Sequence, residues 1–333
     1  MRPPRRNRYY GGPPSDHFDG ARFFSTPEPA PRAPLDFVRF VAGQVARPWG
    51  RARDALPTDR PPARADALRL VLVGHSSVLV QLAGLNLLVD PVWSDRLGPG
   101  GAFGPRRRRP PGVAWEDLPP VDAVLLTHDH WDHLDGPTLR RLAERFGCPI
   151  LAPLGVDATV RAYAPGAAVT ALDWGGAAPL SDRLTAHLVP AFHWSGRGLL
   201  DRRHALWGSW VVTDARGGVL LHVGDTAYGD GGPPRAVRER FGAPDVALIP
   251  IGAYRPRWHL LGQHVDPEEA LRILLDCGAR QAYGHHWGAF QLTWEGPDDP
   301  PRDLAAALAR HGLPPERFRP LVPGAAVLPP WPA

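Results

Sequence analysis

The sequence predicts an α/β fold, and three observations carry that reading. Short runs rich in Val, Ile and Leu recur at strand length, they alternate with segments whose apolar residues repeat at helical spacing, and turn formers separate the two kinds. The 333 residues, 44% of them hydrophobic, supply ample apolar surface for a buried core, which excludes a chain disordered throughout.

Residues 1–65 are rich in Pro, Arg and Gly and read as an N-terminal extended arm. Within it Phe37, Phe40, Val41 and Val45 recur at helical spacing, so Asp36 to Arg47 is expected to form a short amphipathic helix that packs on the main domain or touches a membrane surface. A main domain is expected over 66–320. From Leu68 the runs LRLVLVG, SSVLVQL and LNLLVDP, broken by Gly, Ser and Asn, predict a β-meander. Further strands are predicted at VDAVLLT, PILAP, LTAHLVP, WGSWVVTD, GVLLHVGDT and VALIPIG, with helices near Pro137 to Phe146, Pro234 to Phe241, Pro267 to Cys277 and Asp303 to Arg310. The third of these helices is the best marked: Asp266 suits the cap, Pro267 the first turn, and Glu269 completes a capping-box spacing. The run Arg106 to Arg109 reads as an exposed loop, solvated or in contact with a substrate phosphate, and a Pro-rich tail over 321–333 as loop.

Composition narrows the function classes. Cys148 and Cys277 are the only cysteines and have no CxxC partner, so neither a disulfide framework nor a thiolate metal site is expected. All 38 basic residues are arginine, but a net charge of +4 with no basic helix gives no footprint for nucleic acid. Polar and Gly/Pro-rich residues follow the basic N-terminus where a signal peptide would be apolar, and no run approaches the roughly 20 apolar residues of a membrane span. A cytoplasmic protein is the expectation, with weak peripheral membrane contact left open and the oligomeric state unassigned.

The chemistry-bearing residues are concentrated where strands end. Directly after VDAVLLT come His128, Asp129, His130, Trp131, Asp132 and His133, the pattern H-x-H-x-D-H. A loop leaving a sheet edge can aim such side chains alternately to either side and so serve two metal ions through imidazole and carboxylate. The same punctuation recurs downstream, where His193 ends LTAHLVPAFHW, Asp225 ends GVLLHVGDT and His286 follows a short apolar segment in YGHHWGAF. As a set they can converge on one edge of a sheet.

These motifs resemble the metallo-β-lactamase superfamily, and more narrowly the branch containing N-acyl-phosphatidylethanolamine-hydrolysing phospholipase D and its bacterial relatives. The resemblance rests on SDHFDGARFF at 15–24, GHSSVLVQLAGLNLLVDPVWSDR at 74–96 and LPPVDAVLLTHDHWDHLD at 118–135. It continues through HWSGRGLLDR at 193–202, LWGSWV at 206–211, HVGDTAY at 222–228, QHVDPEEA at 263–270 and HHWGAFQLT at 285–293, covering nearly the whole chain. It implies a four-layered αβ/βα sandwich with metals at one edge. It assigns His128, His130 and His193 to one metal, Asp132, His133 and His286 to the other, and Asp225 as the bridge, favouring His286 over His285 because the ligand in the family stands immediately before Trp.

Two Zn²⁺ ions are the implied cofactors, although such donors also accept iron or manganese. Around them His75 and Asp90 are expected to hold ligand imidazoles in the right tautomer. Asp132 is expected to orient the nucleophile, and His264 to contact substrate or assist the leaving group. Trp194, Trp207, Trp210 and Trp287 are expected mainly in the core, some lining an apolar pocket. The implied function is hydrolysis of a phosphodiester in a lipid-like, N-acylated substrate. A lactonase or a hydrolase of small phosphorylated metabolites is the rival enzyme, and a metal-dependent sensor or binding module without turnover the rival of another class.

Overall fold

A computed structural model describes residues 7–26, 34–50, 57–198 and 200–332. Helix α1 (Pro34–Val45) precedes β1 (Arg69–Gly74), β2 (Ser77–Leu82) and β3 (Leu85–Val89), the antiparallel meander that the Gly and Asn turns predict. Then β4 (Ala123–Leu125), α2 (Gly136–Phe146), β5 (Ile150–Pro153), α3 (Val156–Tyr163) and β6 (Val169–Leu172) extend it by parallel pairing into a six-stranded sheet in sequential order.

The second sheet is built from β7 (Ala177–Pro179), β8 (Leu184–Val189), β9 (Ser209–Asp214), β10 (Val219–His222), β11 (Val246–Pro250), β12 (Gln281–His285) and β13 (Phe318–Pro320). It is antiparallel from β7 to β10 and parallel from β10 to β13, with α4 (Gly232–Phe241), α5 (Arg257–Leu260), α6 (Pro267–Cys277) and α7 (Asp299–Arg310) in its connections.

The period of two along a strand explains the layering. Leu70 and Leu72 face the second sheet and pack in one core with Leu184, Leu188, Trp210 and Leu248, whereas Val71 and Val73 face outward to Leu139 and Leu142 of α2. On the second sheet Leu221, Ala247 and Ile249 likewise turn outward, to Leu271 and Leu274 of α6 and Leu304 of α7. Both faces of each sheet are covered, which is why the strands read as continuous apolar runs. The result is the four-layered αβ/βα sandwich.

The strongly patterned elements match their sequence signals. Helix α6 has the predicted capping box, in which Asp266 accepts from the Glu269 amide at 2.9 Å and Glu269 accepts from the Asp266 amide at 3.2 Å. Strands β6 and β7 carry no apolar run because they lie half exposed at the sheet edges, and α3 is too short to show a helical stripe. The arginine run differs from its expectation. Arg107 is buried, donates from Nη2 to the Val92 carbonyl at 2.8 Å and stacks on Phe290, while Arg109 pairs with Asp298 at 2.6 Å. A guanidinium that finds carbonyls and a ring face can be interior.

The described residues of both terminal segments lie on the sandwich. Asn7 donates to the His204 carbonyl at 2.8 Å and Tyr9 to Asp201 at 3.0 Å, and Phe18 and Phe23 join the inter-sheet core. At the other end Val327 pairs with Leu70 on the outer edge of β1, and Trp331 donates to Asp214 of β9 at 3.0 Å, so the tail ties one sheet to the other.

Candidate metal centre

Four strand ends bring the site together. The loop after β4 carries His128, His130, Asp132 and His133, the segment after β8 carries His193, the turn after β10 carries Asp225, and His286 follows β12. The glycine of the Gly-Asp-Thr turn has a packing reason. Gly224 has φ +65°, and a Cβ there would stand 2.8 Å from Cγ2 of Thr127, so only glycine lets the Asp225 turn approach the histidine loop.

His128 Nε2, His130 Nδ1, His193 Nε2 and an oxygen of Asp225 form one donor set, with spacings of 2.9 Å (His128 to His130), 3.2 Å (His130 to His193) and 3.6 Å (His193 to Asp225). The second set comprises His75, Asp132, His133 and His286, in which His133 Nε2 and His286 Nε2 lie 3.7 and 3.5 Å from Asp132 Oδ2. Asp225 reaches both, through Oδ2 at 3.3 Å from His133 and Oδ1 at 3.1 Å from His286. Donors around a tetrahedral Zn²⁺ stand about 3.3 Å apart, so each set fits one such ion.

Hydrogen bonding settles the tautomers. Thr127 donates its hydroxyl to Asp90 at 2.6 Å, which leaves the hydroxyl oxygen to accept from His128 Nδ1 at 2.9 Å. His133 Nδ1 donates to Asp90 at 2.7 Å, and His193 Nδ1 to the Gln263 carbonyl at 2.9 Å. In its neutral form each of the three rings therefore turns an unprotonated Nε2 towards the centre, the form a metal ion takes up. His133 Nε2, His286 Nε2 and Asp225 Oδ1 are buried without a hydrogen-bond partner, an arrangement too costly to leave uncompensated and one that cations complete.

The electrostatics agree. Burial favours the neutral form of Asp132 and Asp225, but the surrounding imidazoles outweigh it and both carboxyls lie well below their ordinary value. Burial likewise opposes charge on His133 and His286, yet Asp225 and Asp132 override it, lifting His133 well above its ordinary value and His286 to about 9. His128 and His130 are held well below theirs by burial, reinforced by neighbouring imidazoles. Two buried carboxylates thus draw positive charge into the site, and metal binding would displace the protons on His133 and His286.

Asp90 meets His133, a candidate donor, at 2.7 Å. His75 differs in partner, since its Nε2 meets the Asp132 carboxylate at 2.9 Å and not a ligand imidazole. His75, Asp90 and His286 all hold positive φ (56°, 44° and 64°), left-handed strain that side chains accept where surrounding contacts fix them. His264 is 14% exposed, lines the cavity above the donors and has Nδ1 3.7 Å from Asp225. Sequence reasoning passes over Thr127 and Gln263, whose bonds to His128 and His193 carry no local signature. It also passes over Asp129, which is buried and accepts from the Gly196 amide, while Arg197 donates to its carbonyl and to that of Leu134. Burial raises the Asp129 carboxyl to about 6 against the opposing charge of Arg197.

The donors open into a cavity of about 850 Å³. Its floor is polar, with His130, Asp132, Asp225 and His264, and its walls include Phe37, Phe40, Leu97, Leu260 and Leu292. Trp131 and Trp194 line it, the latter edge-on to His130 at 4.2 Å, whereas Trp207, Trp210 and Trp287 are core residues, the first two with indoles that donate to the carbonyls of Ala191 and Leu126.

Residues 85–287 match the model of the beta-lactamase superfamily domain. The chain belongs to the beta-lactamase superfamily. Within it, the chain is similar to an uncharacterised protein of Mycobacterium tuberculosis, 37% identical over 332 residues that span 94% of this chain and 86% of that protein. It is also similar to N-acyl-phosphatidylethanolamine-hydrolysing phospholipase D 1 of Caenorhabditis elegans, 36% identical over 66% of this chain and 64% of that protein. Among solved structures it shares its fold with an isothiocyanate hydrolase from Delia radicum gut bacteria, with a TM-score of 0.62, 21% identity, and coverage of 80% of this chain and all of that one. A metal-dependent hydrolase of Pyrobaculum calidifontis is also similar, 28% identical over 68% of this chain and 87% of that protein.

Proposed function

We propose that the chain is a two-metal phosphodiesterase of phospholipase D type, loaded with zinc or a similar divalent ion, acting on N-acyl phospholipid-like substrates. The observation that carries the reading is the junction of two chemistries in one cavity: two donor sets sharing Asp225 lie on the floor, and apolar side chains rise from it. The similarity to a phospholipase D supports the same substrate class.

Divalent cations, which the donor sets around His128, His130, His193 and Asp225 and around Asp132, His133 and His286 would hold, would supply an acidified water and positive charge for the phosphoryl oxygens. Attack of the water oxygen on phosphorus, with departure of the head-group oxygen and its uptake of a proton, yields a phosphatidic acid and an N-acylethanolamine. Asp132, steadied by His75, is placed to orient the nucleophile by accepting its hydrogen bond. Burial holds His264 well below its ordinary value, so it meets the leaving group as a neutral imidazole offering a hydrogen bond. Apolar walls exclude water from the acyl chains and strengthen the charge interactions at the floor.

The deciding experiment compares purified, metal-analysed protein on an N-acyl phospholipid, a bis-aryl phosphodiester and a lactone. Preferred cleavage of the first supports the reading. Preferred lactone opening makes the chain a lactonase on the same site, and metal binding without turnover on any of the three makes it a binding module.

A further inference from the structure

Helix α1 is docked in the reverse of the usual sense. A surface helix normally buries its apolar stripe and leaves polar residues outward. Here the attachment is polar and close: Trp294 donates to the Phe40 carbonyl at 2.9 Å, Gln44 to the Gln291 carbonyl at 2.8 Å, Gln291 to the Arg47 carbonyl at 2.6 Å, and the Trp49 indole to the Glu295 carbonyl at 2.7 Å. Phe40 stacks on His259 at 4.4 Å, and Gly43 lies so close to Trp294 that a Cβ would overlap the indole. The outward face is apolar, with Leu35, Phe37, Val38 and Val45 exposed by 78, 63, 62 and 75%.

We infer that this outward face of α1 is the surface by which the protein sits on a phospholipid bilayer bearing anionic head groups. Three features select that occupant. Phe37 belongs both to the exposed face and to the cavity wall, so the face runs without interruption into the opening above the metal donors. Trp258 and Leu261, also exposed, enlarge the patch beside the helix, and an indole suits the depth of lipid head groups. Arg39 over Trp258 and Arg47 over Trp294 flank the apolar face and supply the charge that draws an acidic lipid surface. A second copy seated on the same face would press on Phe37 and obstruct the opening. The inference rests on the lipid reading of the site, which it extends from substrate to the surface that delivers it.

The test uses the full chain with its metals and sedimentation with vesicles of phosphatidylcholine, alone or with phosphatidylglycerol. Val38 and Val45 do not line the cavity, and their exposure lets Val38→Glu and Val45→Glu fold. The double variant should lose at least about tenfold in vesicle partitioning, with metal content and turnover of a soluble bis-aryl phosphodiester unchanged, while Val38→Leu keeps wild-type partitioning. Wild-type protein should bind the phosphatidylglycerol vesicles more tightly than the neutral ones. Partitioning that is absent in the wild type or unaltered in the double variant overturns the inference, and so does a wild-type dimer that the double variant dissolves. Vesicle binding that follows these expectations, without cleavage of any acylated diester, removes the proposed substrate and leaves the docking surface standing.

Discussion

His133 donates from Nδ1 to Asp90 at 2.7 Å, and that one bond turns its Nε2 to within 3.3 Å of Asp225. Asp90 also receives the Thr127 amide at 2.8 Å and the Thr127 hydroxyl, through which it steers His128. One carboxylate therefore orients a donor of each set. Asp90→Asn should weaken metal binding about ten- to a hundredfold, since losing a group that orients a ligand imidazole falls in that range. Competition against a chromogenic chelator measures it, and unaltered affinity at both sites would remove Asp90 from the orienting role.

Asp225 and Asp129 are both buried acids of the site region, yet they should fail in different ways. Asp225→Ala should lose the paired metals and nearly all turnover. Asp129→Ala should keep close to two metal equivalents but cost about 1–3 kcal/mol of stability, because the Gly196 amide is left without its acceptor. Metal analysis beside urea unfolding separates the two. Equal loss of metal in both variants would mean that Asp129 belongs with the donors.

The candidate metal donors are legible in the sequence because each stands just past a strand signal, and the histidine loop concentrates four of them in six residues. Their supports are less legible. The contact of His75 with Asp132 spans 57 residues and that of Gln263 with His193 spans 70, so no local pattern announces them. Arg107 misleads for a related reason: a charge run implies solvent until the fold provides carbonyls and a ring for one of its members. In α1 the periodicity reveals the helix, but which side packs depends on Trp294 and Gln291, some 250 residues away.

Asp214 links β9, Arg183 and the C-terminal tail, and its charge should be felt in acid. Burial disfavours the carboxylate, but hydrogen bonds from Arg183 and Trp331 prevail and hold the group at about 2 in place of 3.8. A carboxyl depressed on folding stabilises the folded state fully above its unfolded value, and the benefit is lost as pH falls through the folded one. Asp214→Asn should therefore cost about 2 kcal/mol at neutral pH, with the difference from wild type shrinking between pH 4 and about 2. Urea unfolding of metal-free protein at several pH values reads this directly. A pH-independent difference would assign the loss to packing of Trp331.

The last prediction concerns substrate class. A phospholipid-cleaving enzyme must meet a polar phosphodiester and apolar chains at once, and the cavity places Leu97, Leu260 and Leu292 above a floor of His130, Asp132 and Asp225. Each methylene buried against such walls is worth roughly 0.8 kcal/mol, so a few of them shift binding by orders of magnitude. Catalytic efficiency should therefore be higher on a long-chain N-acyl phospholipid in micelles than on its short-chain soluble analogue. Deleting residues 1–48 should reduce the former selectively, but it also removes Asn7 and Tyr9, which brace the segment carrying Arg197. Leu292→Ala, at a lining residue apart from the exposed face of α1, isolates the cavity wall: it should lower kcat/KM for the long-chain substrate and leave the soluble analogue nearly unchanged. If the lactone or a water-soluble phosphate ester is turned over far better than any acylated substrate, the apolar walls have another purpose and the lipid assignment fails, while the candidate donor sets that meet at Asp225 are untouched by that result.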